Sequence, residues 1–514
     1  MSSKRAALAV STFVTVGALL LAGCGGPSST TTSPTTPPDD SKSSVTIAVP
    51  QVVANWDPYK ADYSFFMQPL QAAYDTLLRL QQDGAPGPGL AESYTWKDNK
   101  TLVLTLRKNV QFSDGAALTP EVVKQNLERA KTVTGPRTAE IKAVSSIDVT
   151  ADTVTLNLSA PDPTIPLALT RNMGMMVSPT ALAAPDSLTT TPAGTGPYTL
   201  NTAQSLVNDH YLFEYNPKYW NTTERHMGSI TFKVIVDTTA TLNAMRSGQV
   251  DAMRDTNAVD VPVAKSAGFT VIQTIANFYG LNLQDRGGTS MAALGKQEVR
   301  QALNYAVDRK ALQQIVGDGQ PSTQPYPPGQ LGHDDSLDNA YSYDIAKAKS
   351  LLASAGYPNG ITLDVLSLSL QDTYMQALQQ QMAPAGITIN IKDVPPPQYI
   401  ADRNTTKTPV YFWFNSLSNS IADAKQNLLP TGAYNAFKVE DPQITQLVNQ
   451  ASSATSRDEQ DRLMKQVSQI VVSKAYFLVT NFGTTNYFVN PKKIADMQLA
   501  PLTAAASIYG MHAP

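Results

Sequence analysis

The chain has 514 residues, of which 42% are hydrophobic and 16% are charged, so it is globular and too long for a single hydrophobic core. A formal net charge of −3 and the lack of any Lys/Arg run argue against a nucleic-acid partner. After the N-terminal segment, no apolar run reaches the roughly 20 residues that a transmembrane helix needs.

The N-terminal segment has the pattern of a bacterial lipoprotein signal. Lys4 and Arg5 form a basic start, and the uncharged residues 6–22 form an apolar region that is short for a bilayer-spanning helix. This region leads into Leu-Ala-Gly-Cys, which resembles a lipobox, where the cysteine sulfur is joined to diacylglycerol and the chain is cut just before it. We therefore predict a signal peptide over residues 1–23 and a lipid anchor on Cys24, at the extracytoplasmic face of the cell membrane.

Two other interpretations of Cys24 remain open. A lone cysteine is most often a small buried hydrophobe, and the apolar N-terminus could be an uncleaved anchor helix. The following Gly25-Gly26-Pro27 cannot continue a helix, which favours the lipoprotein. Residues 24–44 have no large apolar side chain after the cysteine, so we predict a flexible tether there.

The first predicted elements of the folded part are a strand and a helix. Residues 45–49 are mostly β-branched and apolar, as in a buried strand of a parallel sheet, and a turn follows at residues 55–58. Residues 65–80 show helical spacing of apolar side chains. The Gly/Pro-rich residues 84–89 then end this part of the chain.

Short strands and one capped helix are predicted next. One strand surrounds Tyr94, and a second with an alternating pattern covers residues 101–106. Thr119 as the N-cap, Pro120 at the first helical position and Glu121 in the first turn predict the start of a helix.

A series of short motifs runs through the chain from residue 89 onward. In chain order the motifs are Gly89-Leu-Ala-x-Ser93, Phe112-Ser-Asp-Gly115, Leu118-Thr-Pro-Glu-Val-Val123, Gly194-Thr-Gly-Pro-Tyr198, Asn216-Pro-Lys-Tyr-Trp220, Ser247-Gly-Gln-Val-Asp251, Tyr279-Gly-Leu-Asn282, residues 299–309 and residues 343–358. Each motif alone is weak, but their order over most of the chain resembles that of the dipeptide and oligopeptide solute-binding proteins of ABC importers, known as solute-binding family 5.

The resemblance implies an α/β fold with two lobes that close on a solute about a hinge, the type II periplasmic-binding-protein-like architecture, together with an additional third domain. We predict lobe I at residues 45–75, 192–282 and 485–514, the additional domain at residues 76–191, and lobe III at residues 283–484. The hinge is expected near residues 282–283 and 481–487. The implied partners are a small solute and the subunits of an ABC permease, and we expect a monomer.

The residues that common catalytic and metal sites require are not found as sequence motifs. The histidines His210, His226, His333 and His512 stand singly, without the His-x-x-x-His spacing of a zinc protease. The sequence also has no Gly-x-Ser-x-Gly elbow, no phosphate-binding P-loop and no usable cysteine nucleophile. We predict that the chain is not an enzyme and that it binds no cofactor and no directly ligated metal.

One ligand contact that the resemblance implies is absent. Peptide-binding members commonly hold the amino group of the peptide on an Asp in a Trp-x-x-Asp segment of lobe III. Here the segment reads Trp413-Phe414-Asn415-Ser416, and the nearest acid is Asp423. A neutral hydroxyl cannot replace a charge-assisted bond to an ammonium group, which is worth about 1.5–3 kcal/mol. Either Asp423 approaches from a shifted loop, or the ligand has no free amino group in that pocket.

Peptide-binding members of the family bind the extended backbone of the peptide through strand-like hydrogen bonds. The resemblance implies further ligand contacts at the positions of this chain that match the family's cleft. They are Asn55, Trp56, Asp57 and Tyr59 after the first strand, Tyr279 and Asn282 on the crossing strand, Trp413, Phe414, Asn415, Ser416 and Asp423 on the wall of lobe III, and Tyr434 and Asn435 beyond it. Trp413 could equally be a core aromatic, because residues 411–414 could alternate across a sheet. Asn415 offers both a donor and an acceptor to a peptide bond.

The sequence therefore predicts a lipid-anchored, extracytoplasmic receptor that delivers short peptides to an ABC importer. Relatives on the same scaffold carry other solutes, so a metal chelate, a glycoside or another small molecule is the first alternative. A cell-surface hydrolase and an interaction lipoprotein without a solute are alternatives from other classes. With only four Trp residues, a sugar groove built on stacked aromatics is disfavoured.

Overall fold

The computed structural model describes residue 40 and residues 42–61, 63–82, 84–255, 257–316, 319–368, 371–416, 419–499 and 506–514. The predicted signal peptide, Cys24 and nearly all of the predicted tether lie outside these residues. None of the helices in the described ranges combines the length and apolarity needed to cross a bilayer.

The helices of the described residues are α1 (Tyr63–Ala73), α2 (Pro120–Thr132), α3 (Ile165–Ala168), α4 (Pro179–Ala183), α5 (Thr238–Arg246), α6 (Val261–Ser266), α7 (Gln297–Tyr305), α8 (Arg309–Val316), α9 (Ile345–Ser354), α10 (Asp372–Met382), α11 (Pro396–Arg403), α12 (Ser420–Leu428), α13 (Pro442–Ser453) and α14 (Arg457–Ser473).

The strands are β1 (Ser44–Val49), β2 (Leu78–Leu80), β3 (Pro86–Pro88), β4 (Ala91–Asp98), β5 (Thr101–Leu106), β6 (Val144–Val149), β7 (Thr153–Leu158), β8 (Tyr198–Leu200), β9 (His210–Tyr215), β10 (Ser229–Val234), β11 (Ala252–Asp255), β12 (Thr270–Leu283), β13 (Gln320–Pro321), β14 (Ile361–Leu368), β15 (Ile387–Val394), β16 (Val410–Ser416), β17 (Phe477–Val489), β18 (Gln498–Leu499) and β19 (Ala506–Ser507).

Local sequence signals fix several of these elements. Helix α2 begins as predicted, because the Thr119 hydroxyl accepts a hydrogen bond from the backbone N–H of Val122 and Pro120 occupies the first turn. The predicted helix over residues 65–80 is wrong in its second half, since α1 ends at Ala73. Residues 78–80 instead form β2, which pairs with β3, and Thr76 forms a bridge to Met175. Tertiary strand pairing here overrides the helical periodicity.

A single large sheet runs through the molecule. Its described strands follow the order β15-β14-β16-β12-β17-β11-β1-β10-β9-β8, and β13 pairs with β17. We call β8, β9, β10, β1 and β11 the N-terminal half of this sheet, and β15, β14 and β16 the C-terminal half. The long strands β12 and β17 pair with each other and belong to both halves. They are the strands that join the two halves of the sheet.

The four strands β4, β5, β7 and β6 form a separate antiparallel sheet. We call this sheet, together with α2 and α3, the additional domain; its buried side chains form their own cluster, which includes Leu104, Val123, Leu156 and Met176. A second cluster covers the N-terminal half of the large sheet, and two more cover the C-terminal half. The molecule is therefore a mixed α/β protein with separate cores for its main parts. The residue boundaries predicted for the lobes stay predictions.

Strand directions decide where a cleft can lie. Strands β1, β10 and β11 are mutually parallel and run in the same direction as β12, because β11 and β12 are both antiparallel to β17. Strands β14, β15 and β16 are parallel to one another and antiparallel to β12. The carboxyl ends of the parallel strands of both halves therefore point toward the middle of β12, and ligands of open α/β sheets bind at such ends.

Candidate ligand-binding cleft

The two halves meet at a short stretch of β12 and β17. Asp255, the last residue of β11, pairs with Asn486, which in turn pairs with Gln273. On the other side, Ser416 at the end of β16 pairs with Asn277. The carboxyl ends of the two halves are thus only about four residues apart along β12, and residues 273–277 with residues 483–486 form the floor of the cleft.

The crossing strands are irregular at this floor. Their register shifts between Ile275 and Asn277 and again between Tyr279 and Gly280. Opposite the first shift stands Gly483, where an added Cβ would lie 2.2 Å from a ring carbon of Tyr279. The predicted hinge segment 481–487 includes this point of β17, whereas residues 282–283 lie further into the C-terminal half.

Polar side chains occupy the floor. The Gln273 amide donates a hydrogen bond of 2.7 Å to Oδ1 of Asn486, whose own Nδ2 is buried and has no hydrogen-bond partner among the described residues. The neighbouring Asp255 is only 1% exposed, and its Oδ1 accepts a hydrogen bond from the backbone N–H of Asn257. The floor therefore holds neutral amides and one buried acid.

The N-terminal side of the cleft carries a positive charge. Arg254 lies one residue before the end of β11, and its buried Nε has no hydrogen-bond partner in the described part of the chain. It lines a cavity of about 150 Å³ together with Val49, Pro50, Thr238 and Thr241, at the carboxyl ends of β1 and β10 and the start of α5. A guanidinium group in this position can receive a carboxylate.

The C-terminal side of the cleft carries acids. Asp423 lies in the first turn of α12, whose N-cap Asn419 accepts a hydrogen bond from the backbone N–H of Ala422. Asp423 is close enough to Tyr326 for its charge to act on that hydroxyl, since burial first and Asp423 second raise the pKa of Tyr326. The Tyr326 hydroxyl donates a hydrogen bond to the backbone carbonyl of Ser420 at the start of the same helix.

Two further acids lie at the carboxyl ends of β14 and β15. Burial raises the pKa of Asp393, and the charge and hydrogen bond of Asp372 raise it further, while a hydrogen bond from Ser367 opposes this shift. Asp393 is the next-to-last residue of β15, and Asp372 opens α10. Two neighbouring carboxyl groups at this edge of the sheet can attract a cation.

The ligand contacts predicted directly after β1 include two side chains that are buried within the protein. Trp56 is 2% exposed and packs edge-on against Tyr211 and Phe213 in the core of the N-terminal half. Asp57 is 1% exposed and forms an ion pair of 2.5 Å with Arg129. These side chains have no free surface to offer a ligand.

The other two predicted residues of this loop are also used by the scaffold. The hydroxyl of the fully buried Tyr59 donates to Asn126 and to the backbone carbonyl of Met175 as alternative acceptors. Asn55 is half-buried, and its side chain accepts a hydrogen bond from the backbone N–H of Asp57. We therefore leave these four residues out of the proposed pocket.

The predicted residues on β12 differ from each other. Tyr279 is half-buried and its ring stacks on Phe412 with centroids 6.2 Å apart, next to Gly483 at the crossing. Asn282 is fully buried and its amide donates a hydrogen bond of 2.8 Å to the hydroxyl of Tyr411. Tyr279 lies beside the cleft floor, whereas Asn282 lies within the C-terminal half.

The predicted wall of lobe III is only partly described. Trp413 is 3% exposed and packs edge-on against Phe278 with centroids 4.3 Å apart, so it is a core aromatic. The backbone of Phe414, Asn415 and Ser416 ends β16 and pairs with β12 at the cleft, but their side chains lie outside the described residues.

The last two predicted contacts lie after α12. The guanidinium of Arg403 lies over the Tyr434 ring, 4.9 Å from its centroid. The Asn435 amide is buried and donates to the backbone carbonyls of Leu428, Leu429 and Val439. Asn435 thereby closes a loop, which accounts for an Asn at this position without a ligand.

Sequence reasoning missed several residues of the cleft: Arg254, Asp255, Gln273, Asp372, Asp393 and Asn486. The signal for Arg254 and Asp255 was available, because both follow the Ser-Gly-x-x-Asp corner that precedes β11. Gln273 and Asn486 become neighbours only through the pairing of β12 with β17, which joins residues 213 positions apart. No local pattern in the sequence encodes that contact.

Known proteins resemble this chain in sequence and in fold. The family described as "Bacterial extracellular solute-binding proteins, family 5 Middle" matches residues 85–436. The glutathione-binding protein GsiB of Pectobacterium atrosepticum is 26% identical over 495 residues, which cover 89% of this chain and 94% of that protein.

Two solved structures illustrate the likeness in fold. HbpA2 from Haemophilus parasuis has a TM-score of 0.82 at 18% identity, covering 92% of this chain and 100% of that one. The periplasmic murein tripeptide binding protein MppA, in an unliganded open form, has a TM-score of 0.81 at 19% identity, covering 92% of this chain and 97% of that one.

These matches define the class as extracytoplasmic solute-binding proteins that serve ABC importers, with two lobes and an extra domain. The chain belongs to family 5 of these bacterial proteins. The predicted family and fold class are confirmed. Members of this family are transport binding proteins, so the prediction that the chain is not an enzyme is confirmed by its family.

Proposed function

We propose that this protein binds short peptides in the cleft between its two lobes and delivers them to an ABC permease. The observation that carries the proposal is the placement of charge around the cleft floor. Arg254 lies on the N-terminal side, and Asp372, Asp393 and Asp423 lie on the C-terminal side. A peptide with a free amino group and a free carboxylate matches this arrangement, with its carboxylate toward Arg254.

The backbone of the cleft also suits a peptide. Strand β16 pairs with β14 only at Val410 and Tyr411 among the described residues, so the two strands diverge before β16 reaches the cleft. Extended peptides add to strands through main-chain hydrogen bonds. The amides of Gln273 and Asn486 supply further donors and acceptors for peptide bonds.

We propose that Asp423 binds the amino group of the peptide. Peptide-binding relatives commonly use an Asp at the position where this chain has Ser416, and Asp423 would take over its role. Asp423 lies in the first turn of α12, the next helix or strand after β16, and is half-buried. Two similar proteins are named for binding glutathione and a murein tripeptide, which supports a ligand of two to a few residues. Asn415 remains a proposed contact, as do Tyr279 and Ser416.

We also propose that Cys24 carries the lipid anchor and that the mature chain is a monomer. The lipobox-like Leu-Ala-Gly-Cys and the basic start of the chain support the anchor. Replacing Cys24 by Ser should move the protein from the membrane fraction to the soluble fraction of the producing cells. Recovery of the variant in the membrane fraction would instead indicate an uncleaved anchor helix.

Mass spectrometry of the small molecules released by denaturing the purified protein tests the proposed solute. We expect peptides of two to a few residues, close to one per chain. Release of a metal chelate, a glycoside or another non-peptide solute would contradict the peptide proposal and leave the family assignment intact. If the purified protein is empty, calorimetry with glutathione, trialanine and dialanine replaces the extraction, and failure of all three to bind contradicts the proposal.

A further inference from the structure

Outside the cleft, one group of side chains in the described residues brings together the atoms of a metal site. Nε2 of His333 and carboxylate oxygens of Asp335 and Asp338 lie within 4.8 Å of one another. We propose that these three side chains hold a divalent transition-metal ion such as Zn²⁺ on the surface of the C-terminal half. This proposal does not depend on the identity of the solute.

The first argument is the orientation of the imidazole ring. Nδ1 of His333 lies 2.9 Å from the backbone carbonyl oxygen of Tyr326. A carbonyl can only accept, so Nδ1 carries the hydrogen and donates it. In a neutral ring Nε2 then presents its lone pair to the two carboxylates. Ring orientation by a backbone carbonyl is the usual arrangement of a metal-binding histidine.

The second argument is that the facing atoms are all acceptors. Nε2 lies 2.9 Å from Oδ1 of Asp335 and 3.9 Å from Oδ2 of Asp338. A cation must lie between these groups, either a proton on the ring or a metal ion. For tetrahedral zinc with bonds near 2.0–2.2 Å, neighbouring ligand atoms are about 3.3–3.5 Å apart. The two observed distances bracket that value.

The third argument is that Asp338 is held in place from outside the group. Its Oδ1 accepts hydrogen bonds from the Ser322 hydroxyl at 2.9 Å and from the Gln324 amide at 2.8 Å. The Oδ2 atom is thereby directed toward His333. Hydrogen bonds to a ligating carboxylate fix its orientation before a metal arrives.

The surroundings allow an ion to enter and do not compete with it. The Asp335 side chain is 99% exposed, whereas that of His333 is 11% exposed. The nearby cation Lys465 forms an ion pair of 2.8 Å with Asp461, so a carboxylate outside the group already compensates its charge. One imidazole and two carboxylates suit zinc, manganese or nickel and leave a position for water.

The sequence lacks the paired histidines on one helix face that make a zinc site recognisable. Here a single histidine, His333, is followed by Asp335 and Asp338 at the two ends of a short 3-10 helix. The spacing becomes meaningful only when the Tyr326 carbonyl fixes the ring. At this segment the proposal departs from the prediction that the chain binds no directly ligated metal.

Isothermal titration calorimetry with ZnCl₂ on the chelator-treated, tag-free full chain tests the site. We expect one Zn²⁺ per chain, at least tenfold weaker binding in His333→Ala and in Asp338→Asn, and a rise in the thermal unfolding temperature with Zn²⁺ that is present in the wild type and much smaller in these two variants. Asp338→Asn removes the charge but keeps the size of the side chain and the hydrogen bonds that it accepts from Ser322 and Gln324. If His333→Ala fails to fold, Asp338→Asn therefore still tests the site.

His512→Ala is the matched control. Nδ1 of His512 also lies against a backbone carbonyl, that of Ala513, and Nε2 lies 3.1 Å from Asp496, but no second carboxylate of the described residues completes a group. This variant should bind Zn²⁺ like the wild type. Absence of saturable Zn²⁺ binding, or equal binding in wild type and His333→Ala, would overturn the proposal.

Discussion

The two junctions of this molecule are built differently. The additional domain meets the N-terminal half through buried polar contacts: the Asp57–Arg129 ion pair, the Tyr59–Asn126 hydrogen bond, and the amide of Asn172 on the carbonyls of residues 58 and 61. The C-terminal half meets the N-terminal half mainly through β12 and β17, which are irregular at the crossing. Several independent buried contacts fix a relative orientation, whereas two strands with register shifts can bend.

From this contrast we predict which parts move together when a solute binds. At the first junction the backbone itself is tightly packed, since a Cβ on Gly135 would lie 1.9 Å from the carbonyl oxygen of Tyr59. At the second junction the charged and polar residues of the cleft lie on either side of the crossing. We therefore expect the additional domain and the N-terminal half to move as one body.

The largest expected effect is on stability at the first junction. Asp57→Asn should lower the free energy of unfolding by about 3 kcal/mol, because it leaves Arg129 without its charged partner in a largely buried site. Urea denaturation followed by circular dichroism measures this loss. The matched control is Asp364→Asn, which breaks an exposed ion pair with Lys392 and should cost less than about 1 kcal/mol. Equal costs would remove the distinction between a buried and an exposed pair.

At the second junction, Gly483→Ala should lower the free energy of unfolding by about 1–3 kcal/mol. The added methyl group would overlap the ring of Tyr279, and overpacking has costs of this size. The same substitution in a Tyr279→Ala background should cost much less, because the obstructing ring is gone. If both backgrounds lose the same stability, the ring contact is not what requires glycine here.

Substitutions in the proposed pocket should act on affinity rather than on folding. Asp423→Asn should weaken binding of a peptide ligand about tenfold or more, because it removes a charge-assisted hydrogen bond to the amino group. Asn415→Ala should weaken binding by a smaller factor and leave the unfolding midpoint unchanged. Calorimetry with the peptide and with its N-acetylated form separates the two roles. Equal loss for both forms would contradict the assignment of Asp423 to the amino group.

The smallest expected effect is a pH dependence of the free energy of unfolding, caused by His226. Burial lowers the pKa of His226 from its usual 6.5, against the opposing charge of Glu224, and its ring stacks on Tyr215. As the pH falls below about 6.5, the unfolded chain takes up a proton before the folded one does, so stability declines. The slope from this group is at most about 1.4 kcal/mol per pH unit.

His226→Phe, which keeps an aromatic ring against Tyr215, should reduce the pH dependence of stability between pH 7 and pH 5. Urea denaturation at both pH values measures it. An unchanged slope in the variant would show that other groups carry the pH dependence.

The sequence predicted the family, the fold class and several local elements. Motif order identified the family, and the strand at residues 101–106 and the start of α2 at Pro120 were correct. These features depend on local patterns of alternation and capping. The large sheet could not be built from the sequence alone, because β12 and β17 pair across about 200 residues.

The site predictions stay predictions, and burial is what the sequence does not show about them. Asp57, Asn282 and Asn435 are polar residues near motifs. In the structure Asp57 pairs with Arg129, Asn282 donates to Tyr411 and Asn435 donates to a loop carbonyl. Sequence alone cannot distinguish such buried contacts from contacts with a ligand. Arg254 was missed because its position beside the cleft depends on the direction of β11 relative to β12. Charge near a strand end becomes informative only when the topology is known.

Distances between spin labels test the central claim most directly, with Cys24 replaced by Ser so that only introduced cysteines react. One label pair joins Val236→Cys on the N-terminal half, which is 78% exposed, to Ile400→Cys on the C-terminal half, which is 58% exposed. The other pair joins Val236→Cys to Gln125→Cys on α2 of the additional domain. On saturation with a bound peptide, the first distance should shorten and the second should stay constant. A first distance that does not change on binding, or a second that changes with it, would contradict the account.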